Sequence, residues 1–332
     1  MRKILVIQTA FIGDVVLSTA LLESLHNQFP QANIDVLVRK GNESLFTSHP
    51  FIHEVLVWVK KENKYFNWLK ILFKIRKAQY DVVVNVQRYA ATGLWTAFSN
   101  ASIRVGFDKN PFSFLFSHKV KHVGMQVGLH EINKNHSLLT AFAPCSISLP
   151  KLYPTTENFE KIKPLQATPY ICIAPASVWF TKQYPVKKWI DFLQQLPIHV
   201  KIYLLGGSGD QQICQEIKEA VTHLEVSNMA GNLSFLESAA LQKGAIMNYV
   251  NDSAPMHFCS AVNAPVAAVY CSTIPDFGYG PLSEASFVIQ TIQSLSCRPC
   301  GIHGKKSCPL GHFNCANFIQ LEQLNNPLSQ MG

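Results

Sequence analysis

Gly13 and Asp14 stand between an apolar run, Lys3–Ile7, and a stretch with helical periodicity, and they are the first candidates for chemistry. An aspartate in such a turn serves equally well as the cap of the helix or as a general base. As a base, its carboxylate would accept a proton from a substrate hydroxyl. Asp14 is therefore the candidate catalytic residue, and Gly13 beside it is a candidate acceptor contact.

Two short segments further along contain residue types that bind phosphate or nucleotide. Thr181 and Lys182 follow a run of small residues, and such a loop is able to cradle a phosphate, although a lone surface lysine is usually a solvated charge. Residues 206–210 read GGSGD, and their spacing fails the dinucleotide fingerprint. They form either a tight turn only or a nucleotide contact, in which Gly207 approaches the ligand and Asp210 accepts hydrogen bonds from ribose.

Residues 251–257, NDSAPMH, separate an apolar run from a helical pattern. Backbone N–H groups at the start of such a helix would face a diphosphate, and Pro255 suits a first turn that needs no N–H donor there. A helix capped by Asp252 or Ser253 explains the same residues, and a lone His257 is more often a core histidine than a catalyst. The candidate contacts are Asn251, Asp252, Ser253, Ala254, Met256 and His257.

Four of the nine cysteines crowd into one C-terminal stretch: Cys297, Cys300, Cys308 and Cys315. A Cys-x-x-Cys pair with two further thiols suits a tetrahedral structural zinc site, although the second pair is spaced more widely than usual. Reduced loop cysteines and disulfides are the alternatives. In a cytosolic chain, clustered cysteines bind metal more often than they form disulfides, so the candidate site is a structural zinc at these four cysteines.

Residues 58–80 combine basic and aromatic side chains on a predicted helix. They contain seven Lys or Arg (60, 61, 64, 70, 74, 76 and 77) against one acid, Glu62, with six aromatic residues interleaved. Such a helix is typical of a membrane-surface element, and an ordinary helix with one buried apolar face explains it about as well. Nucleic acid is a weaker alternative because no recognition motif accompanies the basic residues.

The elements that must position these residues alternate between strand and helix in both halves. Apolar runs at Ile34–Val38, 54–59, 81–86 and 102–106 follow the first strand, and the pattern restarts at Tyr170–Ala174. This predicts an α/β fold with two parallel sheets and a cleft between them, and ligands at the carboxyl ends of the strands. The expected domains are 1–155 and 156–315, and the helix of 316–332 is a candidate to pack back on the first domain.

Composition sets the limits of the interpretation. The 332 residues are 48% hydrophobic and 15% charged, which excludes a disordered protein and gives room for about two domains. The net charge of +8 favours anionic partners such as phosphorylated sugars, nucleic acid or an anionic membrane. The first residues lack the pattern of a cleaved signal peptide, and no apolar run is long enough to span a membrane, so we expect a cytoplasmic protein.

Three segments together resemble a known family. Residues 9–38 (TAFIGDVVLSTALLESLHNQFPQANIDVLV), 130–139 (HEINKNHSLL) and 251–282 (NDSAPMHFCSAVNAPVAAVYCSTIPDFGYGPL) look like glycosyltransferase family 9, the heptosyltransferases of lipopolysaccharide core synthesis. The resemblance covers about residues 3–290. It implies a GT-B fold, two Rossmann-like domains with parallel sheets facing a central cleft. It also implies inverting sugar transfer from a nucleotide diphosphate, usually ADP-heptose, without a catalytic metal.

The resemblance also assigns roles to residues. Asp14 matches the family's base, Lys182 with Thr181 matches its phosphate contact, and residues 251–254 match the stretch that holds the donor diphosphate; Ala254 stands where the family usually has glycine. The acceptor would bind the first domain, where Gln87 and Arg88 end a predicted strand. The implied partners are an ADP-sugar, a lipid-linked lipopolysaccharide core and the cytoplasmic face of an anionic inner membrane, with no nucleic acid. The alternatives are a relative with another nucleotide-sugar donor and a zinc-stabilised nucleic-acid-binding protein.

Overall fold

The chain folds into two compact units, Met1–Tyr153 and Pro154–Gly332. The computed structural model describes residues 2–60, 62–124, 128–197 and 200–330; the side chain of Lys64 also lies outside the described part. The predicted boundary at residue 155 differs from the observed one by two residues. Residues 316–332 are part of the second unit rather than a separate segment, because Leu324 is buried in its core and its carbonyl accepts a 2.6 Å hydrogen bond from the hydroxyl of Tyr249.

The first unit alternates strands with helices. Its strands are β1 (Lys3–Ile7), β2 (Asn33–Arg39), β3 (Ile52–Trp58), β4 (Val82–Asn85), β5 (Ile103–Phe107) and β6 (His118–Val120). Its helices are α1 (Ile12–Gln28), α2 (Lys64–Ala78), α3 (Ala90–Ala97) and α4 (Glu131–Thr140). All strands pair in parallel in the order β3-β2-β1-β4-β5-β6.

The second unit repeats this plan. Its strands are β7 (Tyr170–Ala174), β8 (Lys201–Leu204), β9 (Val226–Asn228), β10 (Met247–Asn251), β11 (Val266–Tyr270) and β12 (Ser286–Gln290). Its helices are α5 (Thr156–Ile162), α6 (Val186–Leu193), α7 (Gln211–Ala220), α8 (Phe235–Lys243), α9 (Ala254–Val262), α10 (Asn314–Asn317) and α11 (Glu322–Ser329). The parallel order is β12-β11-β10-β7-β8-β9.

The central strands read as uninterrupted apolar runs because helices cover both of their faces. In β1, Ile4 to Ile7 have no exposed surface, and β7 is buried along its whole length. Residues 144–169 are rich in Pro, Lys and Thr, and this composition predicts a linker between the domains. The prediction is wrong in part, because the second half of this stretch contains α5, which begins with a Thr155–Asn158 capping box and buries Ile162 in the core.

Because every strand in a unit runs the same way, the loops after the strands collect at one edge of each sheet, where α/β proteins bind ligands. The candidate residues after β1 and β4 meet at this edge in the first unit, and those after β7, β8 and β10 meet at it in the second. None of the helices in the described ranges is long and apolar enough to cross a membrane.

Candidate functional site

Asp14 lies in the first turn of α1, at the carboxyl edge of the first sheet. Helix α1 has Phe11 at its N-cap, and that residue makes no side-chain cap hydrogen bond. Asp14 is therefore the third helical residue and not the cap, so the capping explanation of this aspartate does not hold. A carboxylate in a first helical turn is stabilised by the positive end of the helix dipole.

A buried amide network supports the turn that carries Asp14. The Gln8 side chain, 2% exposed, donates to the backbone oxygen of Asp14 at 3.4 Å and accepts from the backbone N–H of Ala10 at 3.2 Å. Gln87 donates a short hydrogen bond to the same Gln8 oxygen. Asn85 accepts from the backbone N–H of Gln87 at 2.9 Å. Gln87 was a predicted acceptor contact, and the structure uses its amide to join the ends of β1 and β4.

Beside this network lies a basic cavity of about 750 Å³. It is formed by the residues that follow three adjacent strands: Arg88 and Tyr89 after β4, Asp108 and Lys109 after β5, and Lys121, His122 and Gly124 after β6. Burial, with the charges of Arg88 and Lys134, lowers the pKa of His122, which leaves its ring neutral at neutral pH. Three permanent cations against one carboxylate make the cavity suited to an anionic ligand.

In the second unit, Lys182 and Asp252 meet at the carboxyl ends of β7 and β10. The ammonium of Lys182 lies 2.7 Å from Asp252 Oδ2, and both side chains are largely buried, 16% and 8% exposed. The Thr273 hydroxyl donates to the same carboxylate oxygen at 2.6 Å. The pair joins two segments that the sequence pattern proposed separately as phosphate contacts, and it fixes the position of the lysine charge next to the N-terminus of α9.

The side chain of Asn251 is engaged within the protein. It has no exposed surface, its Oδ1 accepts from the backbone N–H of Tyr184 at 2.9 Å, and its Nδ2 donates to the carbonyl of Pro175 at 2.7 Å. A donor contact by this residue stays a prediction, and its buried amide does not provide one. Asn251 instead holds the loop that ends in Lys182 against β10.

The residues at the start of α9 are of two kinds: Ser253 and Ala254 begin the helix, and Met256 and His257 have buried side chains. Ser253 is the N-cap, and Ala254 begins the helix with an ordinary right-handed conformation. The position therefore does not require glycine, because alanine adopts this backbone conformation without strain. The side chain of Met256 is fully buried, and its sulfur accepts a 3.2 Å hydrogen bond from Tyr270, so a donor contact at this position would have to use the backbone. His257 is also buried, with its ring 6.4 Å from that of Tyr279.

The glycine-rich turn after β8 is occupied by its own aspartate. Asp210 Oδ2 accepts from the backbone N–H of Gly207 at 2.8 Å. A Cβ on Gly206 would lie 2.7 Å from Cβ of Asp210, so the turn closes tightly over this side chain. These contacts agree with the tight-turn explanation of residues 206–210, since the carboxylate predicted to contact ribose is engaged within the turn.

The cysteine segment, Cys297–Cys315, does not form the predicted zinc site. All nine cysteines are free thiols, and no group of three or more His, Cys, Asp or Glu side chains in the described ranges is arranged to hold a metal ion. Burial raises the pKa of Cys315 to about 11, and the positive charge of Arg298 opposes this rise. As placed, the four cysteines do not form the tetrahedral group of ligands that zinc needs.

The cysteine segment is hydrogen-bonded to the loop that carries Lys182. Thr181 N–H donates to the Lys305 carbonyl at 3.1 Å, and Lys305 N–H donates to Thr181 Oγ1 at 2.8 Å. Ser272 ties in the loop after β11, since its backbone N–H donates to the Thr181 carbonyl at 3.2 Å and its hydroxyl donates to Thr181 Oγ1 at 3.0 Å. Cys300 N–H then donates to the Ser272 carbonyl at 2.8 Å.

Arg298 fixes the same loop from the other side. Its guanidinium donates to the carbonyls of Cys271 at 2.7 Å and Thr273 at 2.8 Å, and to Gln290 Oε1 at 2.7 Å. Because Thr273 in turn contacts Asp252, the arginine positions the partner of Lys182. The sequence pattern singled out only the cysteines around this residue.

Gly304→Ala is expected to displace Lys182. Gly304 has a φ of +76°, and a Cβ there would lie 3.0 Å from Trp179 Cβ, 3.1 Å from Lys182 Cγ and 3.2 Å from Thr181 Oγ1. We expect a stability loss of about 1–2 kcal/mol from the left-handed backbone and, in addition, weaker binding of a nucleoside diphosphate. Calorimetry and thermal unfolding measure the two effects.

Gly301→Ala is the matched control for this change. Gly301 has a φ of +84° in the same segment, but nothing lies within 4 Å of its added Cβ. It should lose similar stability and keep normal nucleotide affinity. Equal nucleotide affinity in the two variants would show that the contacts of Gly304 do not position Lys182.

Comparison with known proteins gives the family of the chain. The profile of Glycosyltransferase family 9 (heptosyltransferase) matches residues 68–312. Lipopolysaccharide heptosyltransferase 3 of Escherichia coli is 25% identical over 279 residues, covering 79% of this chain and 82% of the relative.

Two solved structures match nearly the whole chain. The E. coli ADP-heptose lps heptosyltransferase II superposes with a TM-score of 0.79 at 21% identity, covering 99% of both chains. The family 9 glycosyltransferase of Veillonella parvula DSM 2008 superposes with a TM-score of 0.84 at 20% identity, covering 99% of this chain and 97% of that one. These matches confirm the α/β fold of GT-B type. Since the family profile covers well over half of the sequence, the chain belongs to glycosyltransferase family 9, the heptosyltransferases, and is an enzyme that transfers glycosyl groups.

Proposed function

We propose that the protein transfers a heptose, with inversion, from an ADP-sugar to a hydroxyl of a lipopolysaccharide core. The observation that carries the proposal is the buried Lys182–Asp252 pair at the N-terminus of α9, an arrangement suited to a diphosphate. The names of the relatives support the sugar and the acceptor. They are lipopolysaccharide heptosyltransferases, and the name of one of them includes ADP-heptose.

The positive charge of Lys182 that would bind the donor is already held in position in the protein without a ligand. Lys182 is oriented by Asp252 and by the loop contacts of Thr181, so its ammonium needs little reorganisation when a diphosphate binds. The first turn of α9 adds the positive end of a helix dipole. As the bond between the anomeric carbon and the diphosphate breaks, negative charge builds on the leaving oxygen, and these groups would stabilise it.

Asp14 would act as the general base of the same step. The acceptor oxygen forms a bond to the anomeric carbon on the side opposite the departing diphosphate, and its proton passes to the Asp14 carboxylate. Attack from the opposite side inverts the configuration at that carbon. Gln8 and Gln87 would keep the turn that carries Asp14 in place, and Gly13 beside the base would contact the acceptor.

The basic cavity of the first unit would bind the acceptor. Arg88, Lys109 and Lys121 present positive charge at the carboxyl ends of adjacent strands. This charge would be complementary to anionic groups on the acceptor. Because such a core is attached to lipid, we also propose that the enzyme works peripherally at the cytoplasmic face of the inner membrane, with no nucleic acid partner.

We further propose that transfer needs no metal cofactor, and metal chelation tests this. Lys182 and the start of α9 would supply the charge that a metal ion gives in other transferases. With excess EDTA we expect the rate of transfer to change by less than about twofold, and metal analysis of the purified protein to find substoichiometric zinc. Loss of transfer that added Zn²⁺ restores would contradict both statements.

The proposed donor is tested by calorimetric titration of the protein with ADP, UDP, GDP and CDP in chelator. Selective binding of ADP is the expected result. Selective binding of UDP or GDP would be consistent with the proposed transferase mechanism, but it would show that the donor is another nucleotide sugar and not ADP-heptose. No binding of any of the four would contradict the donor site, and binding of DNA with a steep salt dependence would then favour a nucleic-acid-binding protein.

A further inference from the structure

Helix α2 carries an apolar surface that is wider than the part it buries. Ile71 and Ile75 pack in the core of the first unit with Trp68 and Leu72 against them. Further apolar side chains lie on the surface: Tyr65 is 80% exposed, Phe66 68%, Leu69 45% and Phe73 67%. At 100° per residue these four fall on one stripe that continues from the buried face at Leu72. A helix that only covers a core needs no apolar residues beyond its buried face, so burial in this unit does not account for the stripe.

Positive charge flanks the exposed stripe. Lys70, Lys74, Arg76 and Lys77 are all exposed, and the chain carries no Asp or Glu between Glu62 and Asp81. Lys61 and the side chain of Lys64, which the basic pattern of the sequence also includes, lie outside the described part. An apolar stripe edged by basic side chains is the pattern of a helix that lies in a membrane interface. Its charge is complementary to anionic lipid headgroups.

Contacts tie α2 to the rim of the basic cavity. Trp68 Nε1 donates to the Ala91 carbonyl at 2.9 Å, and Trp95 Nε1 donates to the Trp68 carbonyl at 3.0 Å. The rings of Trp68 and Trp95 stack at 5.8 Å. Helix α3 begins at Ala90, immediately after Tyr89, which lines the cavity. The exposed stripe and the cavity are therefore held in a fixed relation within one unit.

The loop that packs against the other side of α3 extends the apolar surface. Phe98, which ends α3, is 48% exposed, and Phe114 in the Ser113–Leu115 turn is 70% exposed. Helix α3 contacts both α2 and this turn. Exposed aromatic side chains therefore lie on α2, at the end of α3 and in the turn that contacts α3.

We propose that α2 docks on an anionic membrane, with Phe66, Leu69 and Phe73 entering the headgroup region and Lys70, Lys74, Arg76 and Lys77 against lipid phosphates. Docking by this face brings the basic cavity to the membrane surface, where a lipid-linked acceptor presents its sugars. The second statement rests on the proposed function, whereas the first stands on the exposed side chains of α2 alone.

Vesicle co-sedimentation of the full-length protein tests the docking face. We expect binding to vesicles that contain one-third phosphatidylglycerol and little binding to vesicles of phosphatidylcholine alone. Two double variants, Phe66→Ser with Phe73→Ser and Lys70→Glu with Lys74→Glu, should each lower the partition coefficient by at least about tenfold.

The second unit provides the controls. Lys187→Glu with Lys218→Glu changes the net charge equally at exposed positions, and Ile292→Ser removes an exposed apolar side chain. Both control variants should bind as the parent does.

A transfer assay separates this inference from the proposed function. The α2 variants should transfer sugar normally to a deacylated, soluble core, and they should lose activity on a core embedded in anionic vesicles. The docking face would be overturned if the parent protein did not bind anionic vesicles, or if the α2 variants bound them as well as the parent does. Binding of DNA that the α2 variants lose, without any vesicle binding, would also overturn it. Vesicle binding through α2 without any transfer would leave the docking face standing and reject the proposed function.

Discussion

Asp14→Asn is expected to lower kcat by about 10²–10⁴-fold, the usual contribution of a general base. The amide keeps the size of the carboxylate but cannot take up the proton that the acceptor hydroxyl must lose. The Gln8 contact reaches the backbone oxygen of Asp14 and not its side chain, so the turn should survive the substitution. Affinity for the donor nucleotide should stay normal, because the proposed donor contacts belong to the second unit.

The measurement is single-turnover transfer with saturating donor and acceptor. Asp81→Asn makes the same chemical change in the same unit, at the start of β4 and thus at the opposite edge of the sheet, where Asp81 accepts from the backbone N–H of Lys3. This control should keep normal kcat. A folded Asp14→Asn protein with near-normal kcat would reject Asp14 as the base.

Lys182→Met is expected to lower kcat/KM for the donor by about 10²–10³-fold, as removal of one preorganised group that stabilises developing charge does in other enzymes. The same change leaves the carboxylate of Asp252, 8% exposed, without its cation. Breaking a buried pair by removing one partner costs about 3–5 kcal/mol. Because Lys182 keeps some exposure to solvent, we expect a stability loss near the lower end of that range.

A double variant separates the two effects of Lys182. Lys182→Met with Asp252→Asn removes both charges, so it should recover most of the lost stability and none of the lost activity. Lys187→Met removes an exposed lysine of the same unit and should change neither quantity. Recovery of transfer in the double variant would show that Lys182 serves only to neutralise Asp252. Denaturant unfolding and steady-state kinetics give the two readouts.

The alternation of apolar runs and helical periods was enough to predict both parallel sheets, because buried parallel strands are apolar along their whole length. The predictions missed β6 and β9, which have three residues each, and β12, whose residues are mostly exposed at a sheet edge. A short or half-exposed strand leaves too few apolar residues for a period to show.

Candidate site residues were predicted where a strand end and a polar residue coincide in sequence. That signal located the Lys182–Asp252 pair, but it does not give side-chain direction, so it did not show that the side chains of Asn251 and Met256 are buried. Gln8 and Arg298 were missed because their roles depend on partners 79 and 25–27 residues away. Long-range pairing of this kind leaves no local pattern in a single sequence.

The bonds between Thr181 and the cysteine segment have a thermodynamic consequence. Any ligand that orders the Lys182 loop also orders residues 300–305, and by linkage whatever loosens those residues weakens the ligand by the same factor. A bound nucleoside diphosphate should therefore slow the reaction of the partly exposed Cys300 with a thiol reagent, and prior alkylation of Cys300 should lower nucleotide affinity. Together, the two measurements would show whether the Lys182 loop and the cysteine segment are coupled.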